Sequence, residues 1–308
     1  MKFSTVIALY NKQNEIGRAL YSVLEQVSTE HNQSEVIIVD DGSTDSSLSV
    51  VERIKREYPN KNITIHSQAN AGVSAARNKG IALAQNELIT FLDADDSYEP
   101  DFYNEIAELV AKFPYASVFA TGYRFVNIRQ GTKRDANLVG LSLDTQQIMD
   151  DFFYTAAYGD LPITSSSVCI KKRSLNSVGG FPEGQNMGED QAVWSQLALK
   201  YLMAISQKVC ANYFEDTSDS LMKTQPVTQE MPYSLRLQTQ IEQQKIPEKF
   251  QRSVEEYISG HLLDLVRRNS ISGNIVAANQ MIADKRSRVQ LKRWSYWYMR
   301  VFLKRITL

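Results

Sequence analysis

The chain has 308 residues, 43 % hydrophobic and 22 % charged, with a formal net charge of −1; it can bury one large core or two smaller ones, and its composition excludes a disordered or fibrous chain. The near-zero balance hides an asymmetry, because residues 285–308 hold eight Lys or Arg and no acid while the first 284 carry 26 basic against 35 acidic side chains, so the two parts are expected to meet different partners. The apolar run in MKFSTVIALYNK is too short for a signal-peptide core, no segment approaches the roughly 18 apolar residues of a spanning helix, and Cys169 and Cys210 stand far apart outside metal-ligand spacing; a cytoplasmic protein with two buried, reduced thiols is the expectation.

Taken in chain order, STVIALY reads as a strand, and KQNEIGRALYSVLEQ as an amphipathic helix with Ile16, Leu20, Val23 and Leu24 on one face. SEVIIVDD is a second strand, continuously apolar as strands covered on both faces are. DGSTDSSLSVVERIKREY opens with the capping candidates Ser43, Thr44 and Asp45 before a helical pattern. NITIHSQ gives a third strand, AGVSAARNKGIALAQ a helix and ELITFLD a fourth strand. This alternation predicts a parallel α/β sheet with right-handed crossovers. Asp96 or Asp101 is placed to cap the next helix, YEPDFYNEIAELV.

After about residue 115 the pattern is mixed. FPYASVFATGYRFVNI reads as strand, SLDTQQIMDDFFYTAAY as helix, and a glycine-bearing loop, GGFPEGQNMGEDQ, precedes a helix through Trp194, Leu197 and Leu199. From about Gln225 onward the sequence is polar and helix-favouring. In its basic tail Trp294, Trp297, Tyr298, Val301, Phe302 and Ile306 interleave with Arg288, Lys292, Arg293, Arg300, Lys304 and Arg305. That mixture suits an anionic membrane interface; the competing readings are a helix docked on the protein's own core and a nucleic-acid face.

Open sheets of this type bind ligands at the carboxyl ends of their strands, where strand order reverses. Tyr10 and Asn11 follow the first strand, Asp40 and Asp41 the second, and Asp93 to Asp96 the fourth. Asp93 and Asp95 can both turn toward a hard cation such as Mg²⁺ or Mn²⁺, or form a solvated acidic turn. Asp40 and Asp41 can accept hydrogen bonds from a ribose or a uracil N3–H, or close an Asp-Gly turn. Tyr10 can stack on a base or cover the sheet edge. Arg77 offers a planar fork to a phosphate or to one of the aspartates. Glu189 and Asp190 begin a helix, where a carboxylate can serve as general base or can favour the helix dipole. No Walker loop, G-x-G-x-x-G or H-E-x-x-H occurs, and His31, His66 and His261 are scattered, as structural or exposed histidines are.

The segments IALYNKQNEIGRALYSVLEQ, EVIIVDDGSTDSS, NAGVSAARNKGIALAQNELITFLDADD and GEDQAVW, in this order and spacing, resemble the family 2 glycosyltransferases of the GT-A fold. The resemblance covers about residues 3–200, with Ala8 standing where many members have Pro. It implies a Rossmann-like, mostly parallel sheet flanked by helices, with residues 1–115 as the donor-binding half, 116–224 as the acceptor-binding half, and 225–308 as a helical C-terminal extension. It further implies inverting transfer from a nucleotide-diphosphate sugar, usually a UDP-sugar, aided by Mg²⁺ or Mn²⁺; a glycan or lipid-linked acceptor in surface polysaccharide synthesis is expected, with no nucleic-acid partner, and the basic amphipathic tail of residues 285–308 is what suggests a peripheral place on the inner face of the membrane. Carried onto this chain, Tyr10 and Asn11 lie at the nucleobase, Asp40 and Asp41 at base or ribose, and Arg77 at the nucleotide. Asp93 then contacts ribose or metal, Asp95 ligates the metal, and Asp190 is the base with Glu189 adjacent. Acceptor choice is expected around residues 165–167 and 179–188. The alternatives are a nucleotidyltransferase using the same acids, and a catalytically silent nucleotide-sugar-binding protein.

Overall fold

A computed structural model describes residues 1–26, 34–142, 146–185, 187–215 and 228–306, with the side chains of 304–306 outside that set. His31, the tail positions Lys304 to Leu308 and the expected boundary at 224/225 therefore lie outside the described side chains or residues. The chain divides into two compact units, one of residues Met1–Ala136, Ser142–Asp150 and Pro162–Ser218, the other of Asn137–Leu141, Asp151–Leu161 and Asp219–Leu308.

The first unit is α/β. Its elements are β1 (Phe3–Leu9), α1 (Ile16–Leu24), β2 (Glu35–Asp40), α2 (Ser47–Glu57), β3 (Asn62–Ser67), α3 (Val73–Leu83), β4 (Leu88–Phe91), β5 (Ser97–Tyr98), α4 (Phe102–Lys112), β6 (Val118–Asn127), β7 (Thr132–Asp135) and β8 (Gln146–Ile148). After α5 (Phe152–Tyr158), which belongs to the other unit, come β9 (Val168–Lys171), α6 (Lys172–Val178), α7 (Glu189–Lys200) and β10 (Met203–Phe214). The sheet order is β3-β2-β1-β4-β9-β6-β10-β5, with β7 on β6 and β8 on β10. β1, β2, β3, β4, β6 and β10 all run one way, and β9 is antiparallel between β4 and β6. Strand order reverses between β1 and β4, so the crevice beyond their carboxyl ends is the place where such a sheet accepts a ligand.

The local chemistry explains these elements. α1 buries Ile16, Leu20, Val23 and Leu24, the expected stripe, against a core containing Phe3, Ile7, Ile38 and Leu92. All six residues of β2 are buried, as its unbroken apolar run predicts. α3 approaches β1 closely because Gly80 has no side chain: a Cβ there would stand 2.2 Å from Val6 Cγ1. Cys169 and Cys210 are both buried free thiols.

One expectation is corrected, and one strand lies where the sequence reading placed no element. The predicted helix SLDTQQIMDDFFYTAAY is part strand, because 146–148 pair with β10; α5 starts only where Asp151 accepts from the Tyr154 amide, 3.0 Å. The long strand β10 carries Gln207, Lys208 and Asn212 within its span, and its register against β6 shifts around Val209. That irregularity breaks the period-two signal, and Gly122 accommodates it, since a Cβ there would meet the Gln207 carbonyl at 2.6 Å.

The second unit is helical, with α8 (Pro232–Glu242), α9 (Glu248–Ile271), α10 (Ile275–Ala283), a 3₁₀ turn (Lys285–Val289) and α11 (Leu291–Ile306) joining α5. Leu263, Val266, Ala278, Ile282 and Val301 form a buried cluster, with Trp294 and Trp297 packed on it. Arg286 is fixed inside the unit by Glu230 and Asp284 at 2.8 and 2.7 Å. His261 is structural: it accepts from the Met231 amide at 3.0 Å, and burial lowers its pKa to about 4.

Candidate active site

The turn after β1 presents Tyr10, whose side chain is 48 % exposed, and Asn11 in a left-handed conformation at φ 51°. The Asn11 side chain accepts from the Thr44 amide, 2.8 Å, and its own amide donates to Ser43 Oγ, 3.1 Å, tying this turn to the one after β2. There Asp40 is buried and accepts from the Ser43 amide at 3.1 Å. Asp41, expected beside Asp40 at the nucleotide, is also buried. It accepts from Gln68 Nε2 and from the Ala71 and Gly72 amides at 2.8–2.9 Å, so its carboxylate shapes the loop that leads into α3.

That loop sets Arg77 on α3. The buried guanidinium reaches Asp93 Oδ1 through Nη2, 2.7 Å, and Glu189 Oε1 through Nη1, 2.9 Å. Burial opposes its charge, but Asp93 and Glu189 outweigh it and hold the Arg77 pKa above its ordinary value. Its fork therefore joins two acids that lie far apart in sequence, one past β4 and one at the start of α7. The Phe181 ring lies 5.1 Å from the guanidinium carbon and is wedged edge-on against Phe91 and Trp194.

Gly188, left-handed at φ 75°, turns the chain into α7 so that Glu189 and Asp190 form its first turn. Asp190 Oδ1 accepts its own helix's Gln191 amide at 2.6 Å. Burial, with the nearby Glu189 charge, raises the Asp190 pKa to about 7, against the pull of Arg77. A carboxylate with that pKa is suited to exchanging a proton near neutrality.

Past β4, Asp95 pairs with Lys12 at 2.8 Å, and its backbone carbonyl accepts from Arg18 Nη2. Asp96 is buried beneath them, hydrogen-bonded by Ser166 Oγ at 2.5 Å and by the Phe214 amide at 3.1 Å. Burial first, then the charges of Asp95 and Asp93, push its pKa well above the carboxylate range. Ser166 Oγ also accepts from the Asp93 amide, 3.1 Å. Ser165, Ser166 and Ser167, expected near the acceptor, are all buried, and through Ser166 this 3₁₀ turn braces the acids. Sequence reasoning missed Lys12, Arg18 and the bracing serine. Only Lys12 carries a signal, being adjacent to the Tyr10–Asn11 pair.

No described group of three His, Cys, Asp or Glu stands ready to hold a metal ion. Asp93 and Asp95 supply hard oxygen donors, which fits a Mg²⁺ or Mn²⁺ ion that takes one or two protein carboxylates and completes its shell from phosphate and water.

The family model for Glycosyl transferase family 2 matches residues 4–166. The minor teichoic acid biosynthesis protein GgaA of Bacillus subtilis is 28 % identical over 200 residues, 64 % of this chain and 43 % of that protein. The chain spans less than half the length of the curated relatives it matches. Among solved structures, S. aureus TarS in complex with UDP-GlcNAc superposes with a TM-score of 0.69 at 18 % identity, covering 100 % of this chain and 92 % of that one. A Pyrobaculum calidifontis mannosyltransferase in complex with GDP-Man and Mn²⁺ gives 0.59 at 16 %, covering 99 % and 86 %. These likenesses establish the GT-A fold.

Proposed function

The chain belongs to glycosyl transferase family 2, and we propose that it catalyses inverting transfer of a sugar from a nucleotide-diphosphate sugar, a UDP-sugar by preference, to a hydroxyl of a glycan or lipid-linked acceptor. The observation that carries this reading is the Arg77 fork, which draws Asp93 and Glu189, and with it Asp190, to one crevice. In this reading the exposed Tyr10 ring stacks on the nucleobase and Asp40 accepts from base or ribose. Asn11 and Asp41 hold the two loops that form the cleft.

The Asp190 carboxylate takes the proton of the acceptor hydroxyl. That oxygen attacks the anomeric carbon from the face opposite the diphosphate, the bond from anomeric carbon to phosphate oxygen breaks with its electron pair leaving on the diphosphate, and one displacement inverts the centre. Asp95, with Asp93, would hold Mg²⁺ or Mn²⁺, which when bound supplies Lewis-acid stabilisation of the departing diphosphate. Arg77 acts through Asp93 and Glu189 as a positioning residue.

The partner of α11 in this proposal is an anionic membrane surface. Val301, Trp294 and Trp297 face the protein's own cluster, while Leu291, Tyr296, Tyr298, Met299, Phe302 and Leu303 are exposed, and exposed Lys292 and Arg300 join Lys285 and Arg288 around them. A helix with apolar residues outward and only basic charge beside them matches an anionic lipid interface. Among the described residues no helix is long and apolar enough to cross a membrane.

The test is nucleoside diphosphate release with Mn²⁺ across UDP-, GDP- and dTDP-sugars, wild type beside Asp95→Ala. Release from one donor, lost in the variant, supports the reading. Pyrophosphate release would identify a nucleotidyltransferase instead, and donor binding with neither transfer nor hydrolysis a silent binding protein.

A further inference from the structure

The two acids of the Asp93-Ala94-Asp95 run have counter-ions of different kinds. Asp93 is held by Arg77, whose rigid fork is buried and committed at the same time to Glu189. It cannot leave without stranding two carboxylates. Asp95 is held by Lys12, a single ammonium on a four-carbon stem, with the two side chains 14 % and 22 % exposed. The backbone on both sides of that pair is fixed. The Lys12 amide donates to Ser47 Oγ at 2.7 Å. The Asp95 carbonyl is held by Arg18, itself seated 3.6 Å from the centre of the Phe214 ring. Each end is anchored, and the contact between them is the one long, flexible part.

Resting on the donor and metal reading above, we propose that Lys12 is a displaceable counter-ion of Asp95. In the ligand-free protein its ammonium neutralises the carboxylate and competes with a divalent cation for it. When a nucleoside diphosphate enters, the ammonium moves to a phosphate oxygen and ends its competition with the cation at the Asp95 carboxylate. Cation and diphosphate then bind cooperatively, because each favours the arrangement the other needs, and the coupling is reciprocal. The substitution of one positive group by another also keeps the acids from facing each other uncompensated while the cleft is empty.

The experiment is an equilibrium Mn²⁺ titration followed by electron paramagnetic resonance on the full chain, with and without saturating UDP. Wild type is compared with Lys12→Met, Lys12→Arg and Asp95→Asn. Without UDP, Lys12→Met should bind Mn²⁺ about fivefold more tightly than wild type, the order expected for one partly exposed ion pair. The factor by which UDP improves Mn²⁺ binding should shrink by at least as much in Lys12→Met and persist in Lys12→Arg, which keeps the charge and guards against a folding artefact. Equal Mn²⁺ affinity of wild type and Lys12→Met without UDP, alongside a loss in Asp95→Asn with UDP, would overturn the role of Lys12 and leave the metal reading standing. Absence of Mn²⁺ binding in wild type even with UDP would remove the metal reading and this inference with it.

Discussion

Replacing Asp190 by Asn separates two consequences of burying that carboxylate. In the unfolded chain the group ionises near 3.8, and in the native protein near 7. An acid with a raised native pKa binds its proton more tightly when folded. Its contribution to stability is therefore fully present below about pH 4 and is lost as pH rises toward about 7, at up to about 1.4 kcal/mol per pH unit, with no further loss beyond. Asn carries no titrating proton, so the stability of the variant relative to wild type should improve across that window and then level off. Activity runs the other way. The base must be ionised, and with a pKa of about 7 roughly a tenth of the free enzyme is competent at pH 6, so kcat/KM should fall about tenfold between about pH 8 and about pH 6. Asp190→Asn should lose about 10²- to 10⁴-fold in turnover at about pH 8, where the wild-type base is ionised, while keeping donor binding. The assays are nucleoside diphosphate release at low donor concentration and denaturant melts of both proteins, each across pH. A variant that turns over normally would refute the assignment of the base. A stability difference that does not change with pH would refute the buried, proton-retaining carboxylate.

Gly80→Ala should cost about 1–3 kcal/mol in chemical denaturation by overpacking, because its Cβ would sit 2.2 Å from Val6 Cγ1, and adding Val6→Ala should recover part of that. Arg77→Met strands Asp93 and Glu189 in a largely buried place and should destabilise by about 3–5 kcal/mol; melts show the size, and a silent substitution would mean the fork is not needed to hold the two acids. Changing both Met299 and Phe302 to Glu on the exposed side of α11 should abolish flotation with phosphatidylglycerol vesicles and leave hydrolysis of a soluble donor intact; flotation equal to wild type would remove the membrane partner.

The parallel part of the sheet was legible because β1, β2 and β4 are buried runs of Phe, Val, Ile and Leu with polar turns at their ends, and a strand buried on both faces announces itself without any periodicity. β10 was not legible, since a bulge that needs Gly122 on the neighbouring strand is a property of two segments at once. The candidate site divides in the same way. Tyr10, Asp40, Asp93 and Asp190 stand at element ends, where a single chain of reasoning reaches them. The arrangement of Asp41, by contrast, depends on which amides the Gln68–Gly72 loop offers, and Ser166 becomes relevant only because the 3₁₀ turn before β9 passes beneath the carboxyl end of β4. The tail shows the same limit: its composition spoke for an amphipathic helix, but only the packing assigns Trp294 and Trp297 inward and Tyr296, Met299 and Phe302 outward.

Charge accounting links these pieces. Asp93, Asp95, Asp96, Glu189 and Asp190 converge on one end of the sheet, and among the described residues Arg77 stands between Asp93 and Glu189, Lys12 on the Asp95 carboxylate and Arg18 on the Asp95 carbonyl. The remaining acids shed their charge by another route, for burial raises the pKa of both Asp96 and Asp190. A diphosphate entering this crevice adds negative charge to a place already relieved of it by borrowing protons and internal cations. It is held more readily if positive charge is gained or redirected, and in the proposal above Lys12 is the cation redirected. In the proposed mechanism the same acids that would repel the donor when it arrives alone become its anchor once a divalent cation arrives with it, and the ion pair at Asp95 sets which of these two states the empty cleft begins in.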